Sequence, residues 1–338
     1  MYSSQLLLPF AAAVSSALLS GILTWAIRPL LVRIALARPN ARSSHRVPTP
    51  QGAGIAVIGA TLIAAASVIA FADAAGIEVP AAVFGATLFI AAVGLADDIH
   101  SIPVVPRLLL QGLAVAAVML AAPEDLRIAP SCPLWLERGL LFVAGLWFVN
   151  LVNFMDGLDL MTVAEIVPVT GALVLLGWFA DLPMPATIAA AALFGAMLGF
   201  APFNRPVAKI FLGDVGSLPI GLLAGWCLLQ LAWHQHIAAA LLLPLYYLTD
   251  ATVTLLRRIV RREPFWAAHR SHFYQRATDN GFPVWRVVSE VFALNVLLAA
   301  LAIGAVIASS PAISGLLLAA GGMATAFLMR RFSRRPRS

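Results

Sequence analysis

Residues 135–159 read WLERGLLFVAGLWFVNLVNFMDGLD. Beyond Glu137 and Arg138 the run is apolar as far as Asn150 and Asn153, and it ends on Asp156, Gly157 and Asp159. A helix that crosses a bilayer needs about 20 mostly apolar residues, so residues 135–153 read as a span with polar chemistry gathered at one end. Similar runs lie near residues 6–27, 52–72, 80–96, 107–122, 161–180, 184–201, 217–233, 237–256, 284–308 and 311–329. The sequence therefore predicts an all-α polytopic membrane protein of about eleven helices, with ten as the rival count, in a single domain over 1–338. Composition agrees: 61% of the 338 residues are hydrophobic and 11% charged, against about 45–50% and about 25% in soluble domains. Two cysteines, Cys132 and Cys227, are too few for a disulfide framework and have no metal-site spacing. Met1 to Pro9 carry no charge, so the first run reads as a retained anchor and not a cleaved signal.

Basic loops stay cytoplasmic. With the N-terminus outside and eleven crossings, every basic residue except Arg127 and Arg138 falls inside, including a 257–283 loop and a basic tail over 330–338. The C-terminus is then cytoplasmic. The formal charge of +6 is thus a topology signal, and nucleic acid is not the expected partner. Asp73, Glu78, Glu124, Asp125, Glu137 and Asp181 fall outside and need no special account. Asp97, Asp98, Asp156, Asp159 and Asp214 sit at inner helix ends or in short inner loops, where ionisable groups are costly unless paired or bound to a cation.

Five constellations follow. Gly94-Leu-Ala-Asp97-Asp98-Ile-His100 holds adjacent carboxylates, which call for a cation or basic partners if both are to stay ionised; a solvated helix end is the plainer alternative, though acids are unfavourable at a helix C-terminus. In Asn150-Leu-Val-Asn153-Phe-Met-Asp156-Gly157-Leu-Asp159, the spacing of three predicts four oxygen-bearing side chains on one side of a turn and its extension. In the third, Asn204 and Lys209, the single lysine, precede Gly213-Asp214-Val-Gly216-Ser217. A helix N-terminus there can receive an anion, while an Asp can simply cap it. His269-Arg270-Ser271-His272 suits phosphate or sugar contact, whereas the arginines just before it suit anionic lipid. The first inner loop, Arg38-Pro39-Asn40 through His45-Arg46 to Pro48-Thr49-Pro50-Gln51-Gly52, has the Pro and Gly density of a folded loop.

Taken together, these motifs resemble the polyprenyl-phosphate N-acetylhexosamine-1-phosphate transferases, glycosyltransferase family 4, in the family's order from about residue 38 to 276. The resemblance implies a Mg²⁺-dependent reaction on the cytoplasmic face of the bacterial plasma membrane, with Mn²⁺ as a substitute. Undecaprenyl phosphate would attack a UDP-N-acetyl sugar, giving undecaprenyl-diphospho-sugar and UMP. It implies Asp214 and Asn153 at the metal, Asp97, Asp98 and Asp156 as catalytic residues, and Asp159 at the uracil. Asn204, Lys209, His269, Arg270, His272, His45 and Arg46 would bind substrate. Which of Asp97 and Asp98 acts as base, whether transfer takes one step or two, and whether the chain forms a homodimer stay open. Two departures stand out: Leu160-Met161 follows Asp159 where the family has a small residue, and the last motif reads His-Arg-Ser-His in place of a triple histidine. The latter points to the O-antigen or exopolysaccharide branch rather than the phospho-MurNAc-pentapeptide branch. A lipid flippase or transporter is the alternative from another class, and it expects acids at mid-span depth.

Overall fold

The computed structural model describes residues 2–37, 48–72, 78–178, 180, 182–264 and 269–335. The chain is helical, with one small hairpin. Helix α1 spans Tyr2–Ile34, and strands β1 (Leu36–Ala37) and β2 (Thr49–Pro50) pair antiparallel. Then come α2 (Gly54–Phe71), α3 (Ala81–Ile99), α4 (Val104–Ala121), α5 (Leu134–Met155), α6 (Met161–Leu176) and α7 (Met184–Phe200). A 3-10 turn at Ala201–Phe203 leads towards α8 (Asp214–Trp233), and α9 (Ile237–Leu242), α10 (Leu245–Val260), α11 (Phe273–Asp279), α12 (Val284–Ala308) and α13 (Pro311–Phe332) complete the chain. Among the described residues, nine helices are long and apolar enough to cross a membrane, and α6 is a shorter apolar helix. This is the polytopic helical architecture the composition requires.

Several expected runs are displaced. The 80–96 run extends to Ile99, so Asp97 and Asp98 belong to the last turn of α3; Ser101, Ile102 and Pro103 are non-helical, and α4 starts at Val104. The 217–233 run begins instead at Asp214, which stands in the first turn of α8. The first run continues past residue 27, carrying Arg28 and Arg33 on the helix. The 237–256 run is two helices, because Pro244 offers no N–H at the junction. The buried Glu165 of α6 lies beside the start of α10 that this break opens and accepts, on Oε2, the Asn295 amide of α12 at 2.6 Å.

Helix α8 is the pillar of the bundle. Apart from Asp214, Gly225 and Leu229, its residues are all buried, packed against α3, α5, α2, α7 and α9. Its contact with α3 is so close that a Cβ on Gly94 would overlap the Asp214 carbonyl. Outside this centre, α1 packs on α7, where Ser20 donates to the Ala196 carbonyl at 2.8 Å.

Arg127 and Arg138, the two basic residues that the expected topology would leave outside, have structural partners. Arg127 Nε meets Glu137 Oε2 at 2.7 Å, and Glu137 Oε1 accepts the Ile128 N–H at 2.7 Å. Arg138 donates to the Pro123 carbonyl and lies over the Trp233 ring. Glu137 was expected to be an ordinary outer acid; it is buried, because it binds the α4–α5 connection together.

Candidate active site

Four elements meet at the N-terminus of α8. The first free N–H groups of a helix attract negative charge, and here Asp98 supplies it from the end of α3. Its two oxygens accept the Asp214 and Val215 N–H groups, each at 3.0 Å. Asp97, beside it, turns elsewhere: Oδ2 pairs with Arg107 of α4 at 2.7 Å, and Oδ1 accepts the Ile102 N–H at 2.6 Å. The Arg107 guanidinium also lies 3.8 Å from Asp214 Oδ2. From α5, Asn153 Nδ2 donates to Asp214 Oδ1 at 2.8 Å and to Ser217 Oγ at 2.9 Å.

Hairpin β1–β2 delivers the end of the first inner loop to the same place. Phe211 N–H donates to the Pro50 carbonyl at 2.8 Å, Gly54 N–H to the Leu212 carbonyl at 2.8 Å, and Gln51 Nε2 to the Asp98 carbonyl at 3.2 Å. His45 and Arg46 lie outside the described residues.

The four side chains expected on one side of α5 diverge. Asn150 points to Gln111 of α4 at 2.8 Å and to its own Leu146 carbonyl, so it is a buried link between helices. Only Asn153 faces α8. The helix ends at Met155, and that ending turns Asp156 towards Thr162, which donates to it, while Asp159 Oδ2 accepts the Ala208 N–H at 3.0 Å. Burial, with lesser repulsion from Asp98 and Asp159, pushes the Asp156 carboxyl up to about 7. Leu160, where the family has a small residue, takes a left-handed conformation at φ 61°.

The remaining expected residues divide. Asn204 is buried and engaged at both ends, accepting the Leu160 N–H at 2.7 Å and donating to the Ile210 carbonyl at 3.0 Å. It holds two loops in register through one donor and one acceptor of its amide. Lys209 lines a cavity with Trp25, Arg28, Arg33 and Phe203 on the α1 side. His269 and His272 stack with ring centres 5.0 Å apart, and His272 stacks on Tyr274 at 5.8 Å. Burial, aided by His272 and Arg258, depresses His269 to about 4, so it is neutral at neutral pH. Arg270 pairs with Asp279 at 2.9 Å. Tyr274 reaches across to the Phe154 carbonyl at 3.0 Å and packs so tightly on Gly157 that a Cβ there would collide with its hydroxyl. The 154–159 segment thus joins the acidic half of the site to the histidine half.

Sequence reading passed over Asp250 and Glu165. Asp250 of α10 is fully buried, and no local spacing announces it because its partners lie mostly 22 to 24 residues downstream. Glu165 gave a detectable signal as a lone acid inside an apolar run.

The oxygen-rich donor set suits a hard divalent cation. Asp97, Asp98 and Asp214 bring three carboxylates against the single guanidinium of Arg107, an excess of negative charge. Among the described residues no group of three His, Cys, Asp or Glu is placed to hold a metal by itself. Mg²⁺ commonly takes only one or two carboxylates and completes its shell with substrate phosphates and water.

Residues 80–232 match the family described as glycosyl transferase family 4. The chain is 31% identical over 179 residues to the phospho-N-acetylmuramoyl-pentapeptide-transferase of Mycobacterium ulcerans (strain Agy99), covering 46% of this chain and 49% of that protein. It thus spans about half the length of that relative. It is 27% identical over 275 residues to the probable undecaprenyl-phosphate N-acetylglucosaminyl 1-phosphate transferase of Bacillus subtilis (strain 168), covering 74% and 73%. With the decaprenyl-phosphate N-acetylglucosaminephosphotransferase of Mycobacterium tuberculosis (strain CDC 1551 / Oshkosh) it shares 27% over 316 residues, covering 82% and 78%. These likenesses bear out the family resemblance carried by the motifs.

Proposed function

We propose, for a chain whose residues 80–232 match glycosyl transferase family 4, that it transfers an N-acetylhexosamine 1-phosphate from a UDP-sugar to undecaprenyl phosphate. A lipid phosphate oxygen bonds to the sugar-proximal phosphorus, the diphosphate P–O bond breaks, and UMP leaves. The product, undecaprenyl-diphospho-sugar, initiates a surface polysaccharide, and the site faces the cytoplasm from the plasma membrane. The observation that carries this reading is the convergence of Asp97, Arg107, Asn153 and Asp214 at the start of α8.

Asp214 and Asn153 are the residues that would hold Mg²⁺, with the Asn153 amide turned to present its oxygen. When bound, the cation neutralises charge on the diphosphate, which is most of what phosphoryl transfer asks of a site. Asp97 holds the Arg107 guanidinium beside Asp214, where it can meet a phosphate oxygen. Both acids have both oxygens engaged, but Asp98 caps α8 whereas Asp97 holds the guanidinium that lies beside Asp214, which favours Asp97 as the one that deals with the lipid phosphate. Neutral His269, together with His272 and Arg270, receives the sugar diphosphate, and Asp159 the uracil.

Two features favour an N-acetylhexosamine donor over the pentapeptide-bearing one. The relatives matched over about three quarters of their length carry N-acetylglucosaminyl names, whereas the pentapeptide enzyme is matched over half. The last motif is also His-Arg-Ser-His. Purified protein incubated with undecaprenyl phosphate, Mg²⁺ and a panel of UDP-sugars should release UMP with one of them, UDP-N-acetylglucosamine being the first to try. No UMP with any sugar, with or without metal, overturns the proposal.

A further inference from the structure

Asp250 is a carboxylate with no exposure to solvent and five hydrogen-bond donors around it. Oδ1 accepts the Phe273 N–H at 3.0 Å, the Thr254 hydroxyl at 3.2 Å and His272 Nδ1 at 3.2 Å. Oδ2 accepts the Tyr246 hydroxyl and the Tyr274 N–H, each at 3.2 Å. A buried charge persists only when paired and hydrogen-bonded, and a carboxylate has about four lone-pair sites to fill. Three of its donors come from one short stretch, His272 to Tyr274, so α10 grips the histidine motif where α11 begins.

The grip has a chemical consequence for the ring. An ionised carboxylate only accepts, so the Nδ1 beside it must carry the proton. We propose that Asp250 is the positioning residue of the site: it holds His272 Nδ1–H and so leaves Nε2 as the ring atom offered to a phosphate of the bound nucleotide sugar. The ring's other freedoms are already closed. It lies between His269 at 5.0 Å and Tyr274 at 5.8 Å, with Phe154 at 6.5 Å, and Tyr274 is anchored to the Phe154 carbonyl. The titratable or charged groups around it are Asp250, Tyr246 and Arg258 on α10, His269 and Arg270 in the loop, Tyr274 on α11 and Asp156 after α5. Asp250 is the one whose carboxylate reaches an imidazole nitrogen directly. With Nδ1 held by the carboxylate and both ring faces covered, Nε2 is fixed in direction, as a charge-assisted contact to a phosphate requires.

The role assigned to Nε2 rests on the transferase reading; the protonation of Nδ1 does not, and the experiment separates them. In histidine-labelled full-length protein in nanodiscs without substrate, ¹⁵N NMR at pH 7.5 should show His272 protonated at Nδ1. A bare Nδ1 overturns the proposal whatever the activity. Binding of UDP-N-acetylglucosamine with Mg²⁺, measured by calorimetry without the lipid acceptor, gives the second arm. Asp250→Asn and His272→Asn should each weaken it at least tenfold, and the double variant no more than His272→Asn alone. Additive losses overturn the coupling. Tyr246→Phe, which removes a donor from the other oxygen, should leave the affinity within about twofold and the ¹⁵N signature unchanged; if it matches Asp250→Asn, Asp250 is scaffolding only. Should no UDP-sugar bind at all, the transferase reading falls and the NMR result still decides the tautomer.

Discussion

Replacing Asp98 by Asn tests whether this acid caps α8 or acts on substrate. The carboxylate meets two helix N–H groups at 3.0 Å each. An Asn keeps one acceptor and turns an NH₂ towards the other donor, leaving it unsatisfied at a cost of about 1–3 kcal/mol. Removing negative charge from a helix N-terminus costs a further ~0.3–1 kcal/mol. Together these predict a loss of ~1.3–4 kcal/mol. At roughly 2–4 °C per kcal/mol for a large domain, the apparent Tm should fall by about 3–16 °C. Cys227 is buried, so a thiol-reactive fluorogenic maleimide reports unfolding in detergent, with a Cys132→Ser background to remove early labelling. Asp97→Asn is the internal comparison: it keeps the α8 cap and removes only the partner of Arg107, so its Tm should fall less while turnover is lost. An Asp98→Asn protein with an unchanged Tm and no turnover would refute the capping argument and assign Asp98 to the substrate.

Asp214→Ala should abolish UMP release while leaving insertion and folding intact; near-normal turnover removes Asp214 from the proposed metal site. Gly94→Ala should reduce membrane yield and lower the Tm by more than a typical surface change, because the methyl would overlap the α8 backbone. Leu160→Gly relieves a left-handed conformation worth ~1–2 kcal/mol but removes a buried side chain worth ~1.5–3 kcal/mol and adds chain entropy. Burial wins, so stability measured by the same dye assay should drop modestly; a clear gain would show that strain dominates. Two groups give opposite pH slopes in metal-free protein. Asp156, raised to about 7, favours the native state at low pH, and that benefit is lost as pH rises from about 4 to 7. His269, lowered to about 4, favours the native state above pH ~6.5, and that benefit is lost as pH falls towards 4. Asp156→Asn should therefore steepen the fall in Tm between pH 6.5 and 4.5; an unaltered profile refutes the Asp156 assignment.

The apolar runs were legible because a bilayer imposes one length and one composition on every crossing, and the short loops confined the polar motifs to their ends. Helix ends were less so. Asp97, Asp98 and Asp214 look like loop residues in a hydropathy reading, yet the two helices extend to include them, since Asp98 satisfies the N–H groups that α8 would otherwise leave bare. Spacing placed Asn150 and Asn153 together; packing separated them, because α4 lies against one and α8 against the other. The strut role of Asn204 was not legible, because its partners Leu160 and Ile210 lie on two loops that only the fold brings together. Asp250 escaped notice because its meaning resides in residues of α11, across a loop that sequence alone does not fold.

The near-complete burial of α8 has a consequence for the lipid environment. A 20-residue helix rises about 30 Å, close to the hydrocarbon thickness of a bilayer, but α8 touches almost none of it. Thinner or thicker membranes are met by helices with broad outward faces, such as α4 and α13, which can tilt at small cost. The start of α8, with Asp98 and Gly94 pressed against it, keeps its position while the periphery adjusts. Bilayer stress thus reaches the reacting groups through the helices that carry Asp97 and Arg107, α3 and the more exposed α4, rather than through α8.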